Sequence, residues 1–195
     1  SFLAIALKNA DLHVRTFGPG KRRGIPGHQE IEIGLSKLYR ITGNRQYLDL
    51  ARFFLDERGR YRGGETYPAD SPFVIYNSEE YLQNHRPVLE QTEAVGHAVR
   101  ATYMYTGMAD VSALGGWPEY AVAIDRLWDN VAGKKLYITG GIGSTGEYEA
   151  FGADYELPNA HAYAETCASI GNALWNQRLF ELHGEAKYID VLERI

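Results

Sequence analysis

Apolar residues recur along this chain at the three- and four-residue spacing of amphipathic helices. Phe2-Leu3-Ala4-Ile5-Ala6-Leu7 opens it in helical register. After Pro26-Gly27-His28, Glu30 and Glu32 fall where the dipole of a first turn favours acids, and Ile31, Leu35 and Leu38 follow at i, i+4, i+7. Thr42-Gly43-Asn44 reads as stop and turn. A second stripe, Tyr47, Leu48, Ala51, Phe54 and Leu55, runs to Gly59. Pro87 suits a first helical position, with Val88, Val95, Val99 and Tyr103 continuing to a stop at Thr106-Gly107. Pro118 opens another helix carrying Ile124, Leu127, Trp128 and Val131. Leu174 and Phe180 lead into His183-Gly184 and a last helix from Tyr188.

Part of this pattern repeats. Tyr39, Gly43, Tyr47, Leu48 and Asp49 match Phe180, Gly184, Tyr188, Ile189 and Asp190 offset for offset, and Tyr103 with Gly107 repeats the first half. The glycines are too unevenly spaced for a regular solenoid. They suit a ring or barrel of helical hairpins with long loops, expected at 57–86 and 133–162, and loops of that length are usually functional. Leu136-Tyr137-Ile138-Thr139 is the best strand signal. The expected class is therefore all-α. Both ends keep helical spacing with no start or stop signal, so the chain reads as a piece cut through helices of a longer domain.

Composition narrows the function. With 195 residues and 45% hydrophobic content, the chain is long enough for one buried core. Lys plus Arg number 20 and Asp plus Glu 25, for a net charge of −5, which argues against binding nucleic acid. A single cysteine, Cys167, excludes an internal disulfide. No apolar run is long enough to span a membrane, and a cytoplasmic location is expected.

Gly141-Ile-Gly143-Ser-Thr-Gly146 spells a dinucleotide-binding pattern, but no helical stripe follows it, so that reading fails. Glu147, Glu149, Asp154 and Glu156 share the next Gly- and aromatic-rich loop. Such a loop can set a carboxyl beside apolar rings and raise its pKa, as a general acid requires. A solvated acidic loop is the competing reading. Glu165 and Cys167 are potential zinc ligands two residues apart, which need a loop or the first turn of a helix to act together; a buried packing cysteine is the alternative. His28 lies at a helix start, and His97 four residues after Glu93 on one expected helix face. Either histidine is a sugar-hydroxyl partner or a structural residue.

Five stretches resemble the β-L-arabinofuranosidase family, glycoside hydrolase family 127 (GH127). They are Pro26-Gly-His-Gln-Glu-Ile-Glu-Ile-Gly-Leu-Ser-Lys-Leu-Tyr39, Glu93-Ala-Val-Gly-His97, Thr139-Gly-Gly-Ile-Gly-Ser-Thr145, Asp154-Tyr-Glu-Leu-Pro-Asn159 and Tyr163-Ala-Glu-Thr-Cys-Ala168. The resemblance implies that residues 1–195 form part of a catalytic (α/α)6 barrel acting on a small carbohydrate or glycan. It implies Glu149 as general acid/base, His28 and His97 as sugar-binding residues, and Glu165 and Cys167 as two ligands of a zinc ion. It further implies a retaining mechanism whose cysteine nucleophile lies in a Cys-Cys pair beyond residue 195, so that this piece alone is inactive. Two alternatives stand beside it. A sugar epimerase or isomerase on a similar barrel would use His28 and His97 as its acid/base pair. A non-enzymatic helical binding module would leave Glu149 and His97 apart.

Overall fold

The computed structural model describes residues 1–63 and 67–195. Part of the loop expected at 57–86, residues 64–66, lies outside the described residues. Seven α-helices are found among them: α1 (Phe2–Thr16), α2 (Ile31–Thr42), α3 (Arg45–Glu57), α4 (Ala98–Gly115), α5 (Pro118–Asn130), α6 (Thr166–His183) and α7 (Ala186–Arg194). The helix punctuation follows local chemistry. Asn44 caps α3 by accepting from the Gln46 amide at 3.1 Å. Pro118 stands at the first position of α5. Gly43 and Gly184 take the same left-handed cap, with φ of 71° and 72°, and their amides donate to the carbonyls of Tyr39 and Phe180. The sequence repeat is thus a repeated helix stop. Each glycine is followed by a buried tyrosine, Tyr47 or Tyr188, on the return helix.

The helices form two layers. α2, α4 and α6 lie side by side, with α4 in the middle, and each is backed by the helix that follows it: α3, α5 and α7. α1 rests on α3. This all-α arrangement is part of an (α/α)6 barrel. Helix α4 is buried on almost every side, from Ala98 to Ser112, so it needs no polar face. The stripe on α3 is buried as its spacing predicts. No helix among the described residues is long and apolar enough to cross a membrane.

Four expectations need correction. The helix read from Pro87 is a single 3-10 turn, Val88–Glu90, followed by irregular chain to His97. Glu93 and His97 therefore share no helix face. Gly107 does not end α4, which runs on to a left-handed cap at Gly116. A Cβ on Gly107 would lie 3.0 Å from the Cβ of Glu32, so this glycine lets α4 approach α2. Leu136–Thr139 forms no strand; among the described residues there are only isolated bridges. On α6 the buried stripe is Ala168, Asn172, Trp175 and Leu179, while Phe180 is exposed.

Glu32, in the first turn of α2, is fully buried, and neither carboxyl oxygen has a hydrogen-bond partner. Burial pushes its pKa up from 4.5, against the charge of Arg58. A carboxyl of this kind keeps its proton in the fold after the unfolded chain has lost it. Stability is then highest below about 4.5 and falls as pH rises past that value. Glu32→Gln keeps the shape and removes the titration. Its melting temperature should match wild type near pH ~4 and exceed it increasingly towards pH ~7.5. A difference that does not change with pH would show that Glu32 is ionised in the fold.

Candidate active site

The N-terminal ends of α2, α4 and α6 meet at one side of the layer. His28 precedes α2, His97 is the N-cap of α4, and Glu165 is the N-cap of α6 with Cys167 in its first turn. The first helices of three consecutive hairpins thus deliver their starts to one hollow, where the positive ends of the helix dipoles favour anions.

His97 is 6% exposed, with the edge of Tyr81 at 5.2 Å and the ring of His28 at 6.2 Å. Its Nδ1 accepts from the Arg100 amide at 3.2 Å, which caps α4. That bond decides the tautomer: the proton sits on Nε2, which donates to Glu149 Oε2 at 2.7 Å. Desolvation holds the His97 pKa low, so the ring is neutral. His28 is half-buried against Tyr103, and burial lowers its pKa as well.

Glu149 arrives from the long loop between α5 and α6. The backbone there is strained: Tyr148 and Glu149 have φ of 61° and 53°. Its other oxygen, Oε1, accepts from the Tyr163 hydroxyl at 2.7 Å. Two donors therefore hold the two oxygens. The loop was expected to raise this pKa by placing the carboxyl against apolar rings. The structure lowers it, first through the Tyr163 hydrogen bond and then through His97, because the half-exposed carboxylate is solvated by donors rather than by hydrocarbon. The rest of the expected acidic cluster disperses. Asp154 binds Lys134 at 2.6 Å and Asn130 at 2.9 Å, Glu156 accepts from the Ala153 amide, and Glu147 is exposed.

Cys167 is exposed, which overturns the reading of it as a packing residue. Thiols in a first helical turn ordinarily titrate low. Here the hydrogen bond and charge of Glu165 push this thiol up. The neutral thiol and the Glu165 carboxylate thus lie side by side at the start of α6, the placement that two residues at i and i+2 need to act together. Ligand atoms of His97, Glu149 and Glu165 also lie within 4.8 Å of one another. Of these, His97 and Glu149 are already partnered, so Glu165 with Cys167 is the pair whose chemistry fits a soft divalent cation such as zinc.

Residues the sequence reading missed hold the site together. Lys135 is 3% exposed and donates to Glu93 and to the carbonyls of Ala94 and Gly152. It thereby ties the loop before His97 to the loop after Glu149, which the Phe151 amide also joins at the Gly96 carbonyl. Gln83 donates to the carbonyls of Val95 and His97. Only a buried lysine in a loop-rich region hinted at this, and its position in sequence does not show it to be buried.

The geometry places the chain within known proteins. It belongs to the β-L-arabinofuranosidase GH127 family, whose catalytic-domain model matches residues 1–195. It is 39% identical over 201 residues to a non-reducing end β-L-arabinofuranosidase of Bifidobacterium longum subsp. longum, covering 98% of this chain and 30% of that protein. Among solved structures, a GH127 β-arabinofuranosidase is 55% identical with a TM-score of 0.87 over 99% of this chain. A GH127 β-L-arabinofuranosidase from Geobacillus stearothermophilus T6 is 45% identical with a TM-score of 0.89, also over 99%. The chain spans 28% and 32% of those two chains.

Gly96, beside His97, has φ of 69°, and a Cβ there would overlap the Glu80 carbonyl. Gly96→Ala should cost about 1–3 kcal/mol of stability and displace the His97–Glu149 pair. Thermal melting of this variant checks the first, and the His97 ring resonances the second. Wild-type values for both would remove Gly96 from this role.

Proposed function

We propose that this chain is part of a retaining glycosidase that releases β-L-arabinofuranose or a related furanoside, with Glu149 as acid/base. The observation that carries this reading is the grip on Glu149 by His97 and Tyr163 at the meeting point of three helix ends. The whole-protein activities named for the relatives support it.

The hydrogen bonds say where the proton travels. His97 Nε2 carries a hydrogen and cannot accept, because Nδ1 is committed to the α4 cap. Glu149 Oε2 therefore stays an acceptor. Oε1 faces a hydroxyl, which can turn from donor to acceptor, so the transferable proton rides on Oε1. In the first step that proton passes to the leaving oxygen. In the second, the carboxylate withdraws a proton from water, which attacks the anomeric carbon of the covalent intermediate. His28 offers a neutral imidazole to a sugar hydroxyl, whereas His97, expected as a second sugar-binding residue, has both nitrogens engaged and holds Glu149 instead. The nucleophile of this reading is a cysteine thiolate outside residues 1–195. Zinc, held in part by Glu165 and Cys167, would lower the pKa of that thiolate. The epimerase reading loses its acid/base pair, since both His97 nitrogens are engaged. The binding-module reading required Glu149 and His97 to lie apart, and they are 2.7 Å from each other.

The full-length protein should hydrolyse an aryl β-L-arabinofuranoside with retention. Glu149→Gln should keep the fold and lose about 10²–10⁴-fold in kcat on poor leaving groups, and much less on activated aryl glycosides. Wild-type rates on poor leaving groups would exclude Glu149 as the acid. Chelation should abolish turnover and zinc restore it, with Cys167→Ser lowering the zinc bound per protein. Activity and zinc content unchanged in that variant would remove Cys167 from the metal site.

A further inference from the structure

A groove of about 860 Å³ leads away from His28, outside the cluster around Glu149. Its size falls within the roughly 300–1,000 Å³ range of ligand pockets. Arg22, Arg62, Arg100, Tyr61 and Tyr76 line it together with His28. The walls are built. Arg58, 1% exposed, donates to the carbonyls of Pro26 and Leu82, one on each side. Asn84 donates to the carbonyl of Tyr61 and Arg62 to that of Asn84.

Among the described residues the charge in this groove is unbalanced. Arg62 pairs with Glu79, and neighbouring Arg23 pairs with Glu57. Among the described residues, neither Arg22 nor Arg100 forms an ion pair. Arg22 is exposed and lies 5.7 Å from the Phe17 ring. Arg100 is 5% exposed, donates to the Gly27 carbonyl, and stacks on Tyr76 and Tyr81 at 5.4 and 4.9 Å. Its Nε is buried without a partner. Two guanidinium groups without an ion pair among the described residues, Arg22 beside Phe17 and Arg100 beside Tyr76 and Tyr81, on a chain of net charge −5, select an anionic ring-bearing ligand over a neutral one.

We propose that this groove receives the leaving-group side of the glycan, and that the sugar it favours there carries a carboxylate. The assignment rests on the glycosidase reading, because His28 joins the groove to the candidate active site. Arg22 pairs with the carboxylate at the rim, and the tyrosines take the ring faces. Arg100 supplies the fixed positive charge at the floor.

The test compares two substrates in the full-length protein: a β-L-arabinofuranoside of a uronic acid and the same compound as its methyl ester. Wild type should prefer the free acid about tenfold or more in kcat/KM, the size of one charge-assisted contact, and the preference should shrink in high salt. Arg22→Gln should bring the ratio of the two towards one. Equal kcat/KM for acid and ester in wild type, or a preference that survives Arg22→Gln, overturns the proposal. Calorimetry with a diuronate reads the groove independently of turnover. Binding that weakens about tenfold in Arg22→Gln supports the groove even where no arabinofuranoside is cleaved, in which case the glycosidase reading fails alone. A diuronate that does not bind wild type refutes the groove.

Discussion

Buried side chains donating to the backbone carbonyls of loops are the constraint on which the rest of this structure depends. An (α/α) layer needs no such help for its helices, which satisfy their own amides. The chain between them does, because it folds inward over the helix ends instead of running along the surface. Gln83, Gln91, Arg58, Asn84 and Lys135 are each less than 5% exposed, and each holds at least one loop carbonyl. Water cannot replace these donors at such depth, and an unpaired carbonyl there costs about 1–3 kcal/mol. The loops that carry His28, His97 and Glu149 are therefore as fixed as the helices beneath them.

That rigidity gives the site its electrostatics. Three helix starts point at one hollow, so carboxylates at 149 and 165 and the thiol at 167 sit near the positive ends of dipoles. Anions gather there without the loss that burial among hydrocarbon would bring. The consequence for Glu149 is an ionised resting state, held by a phenol and a neutral imidazole. Protonation then has one place to go, since His97 is locked as a donor by the cap of α4. The helix-capping bond at Nδ1 thereby fixes the hydrogen that Nε2 turns towards Glu149. The strained backbone at Tyr148 and Glu149 fits this picture, for strain is tolerated where surrounding bonds over-determine the conformation.

Much of the fold was legible in the residues. The stripes of α2, α3 and α5, the proline that opens α5 and the matched stops at Gly43 and Gly184 are local facts, and local physics decides them. The errors fall where contacts from elsewhere override local preference. Gly107 reads as a stop in sequence, but Glu32 of α2 presses on it and α4 continues. Val88 and Val95 have helical spacing, yet the chain between them is one 3-10 turn followed by irregular backbone, whose far end Gln83 and Asn130 claim. Phe180 looked like core and lies exposed, whereas polar Asn172 and Asn176 are buried on α6.

The sequence by itself determined the helical class, the hairpin order, the family resemblance and the short list of residues able to do chemistry, because periodicity, caps and motifs are written in consecutive positions. Only the tertiary structure decided which of those residues meet. It joined Glu149 to His97 across 52 positions and dispersed the other acids of the same loop. It also reversed the expected direction of the Glu149 pKa. Ionisation answers to the donors and charges around a group, and those arrive from parts of the chain that no local pattern connects.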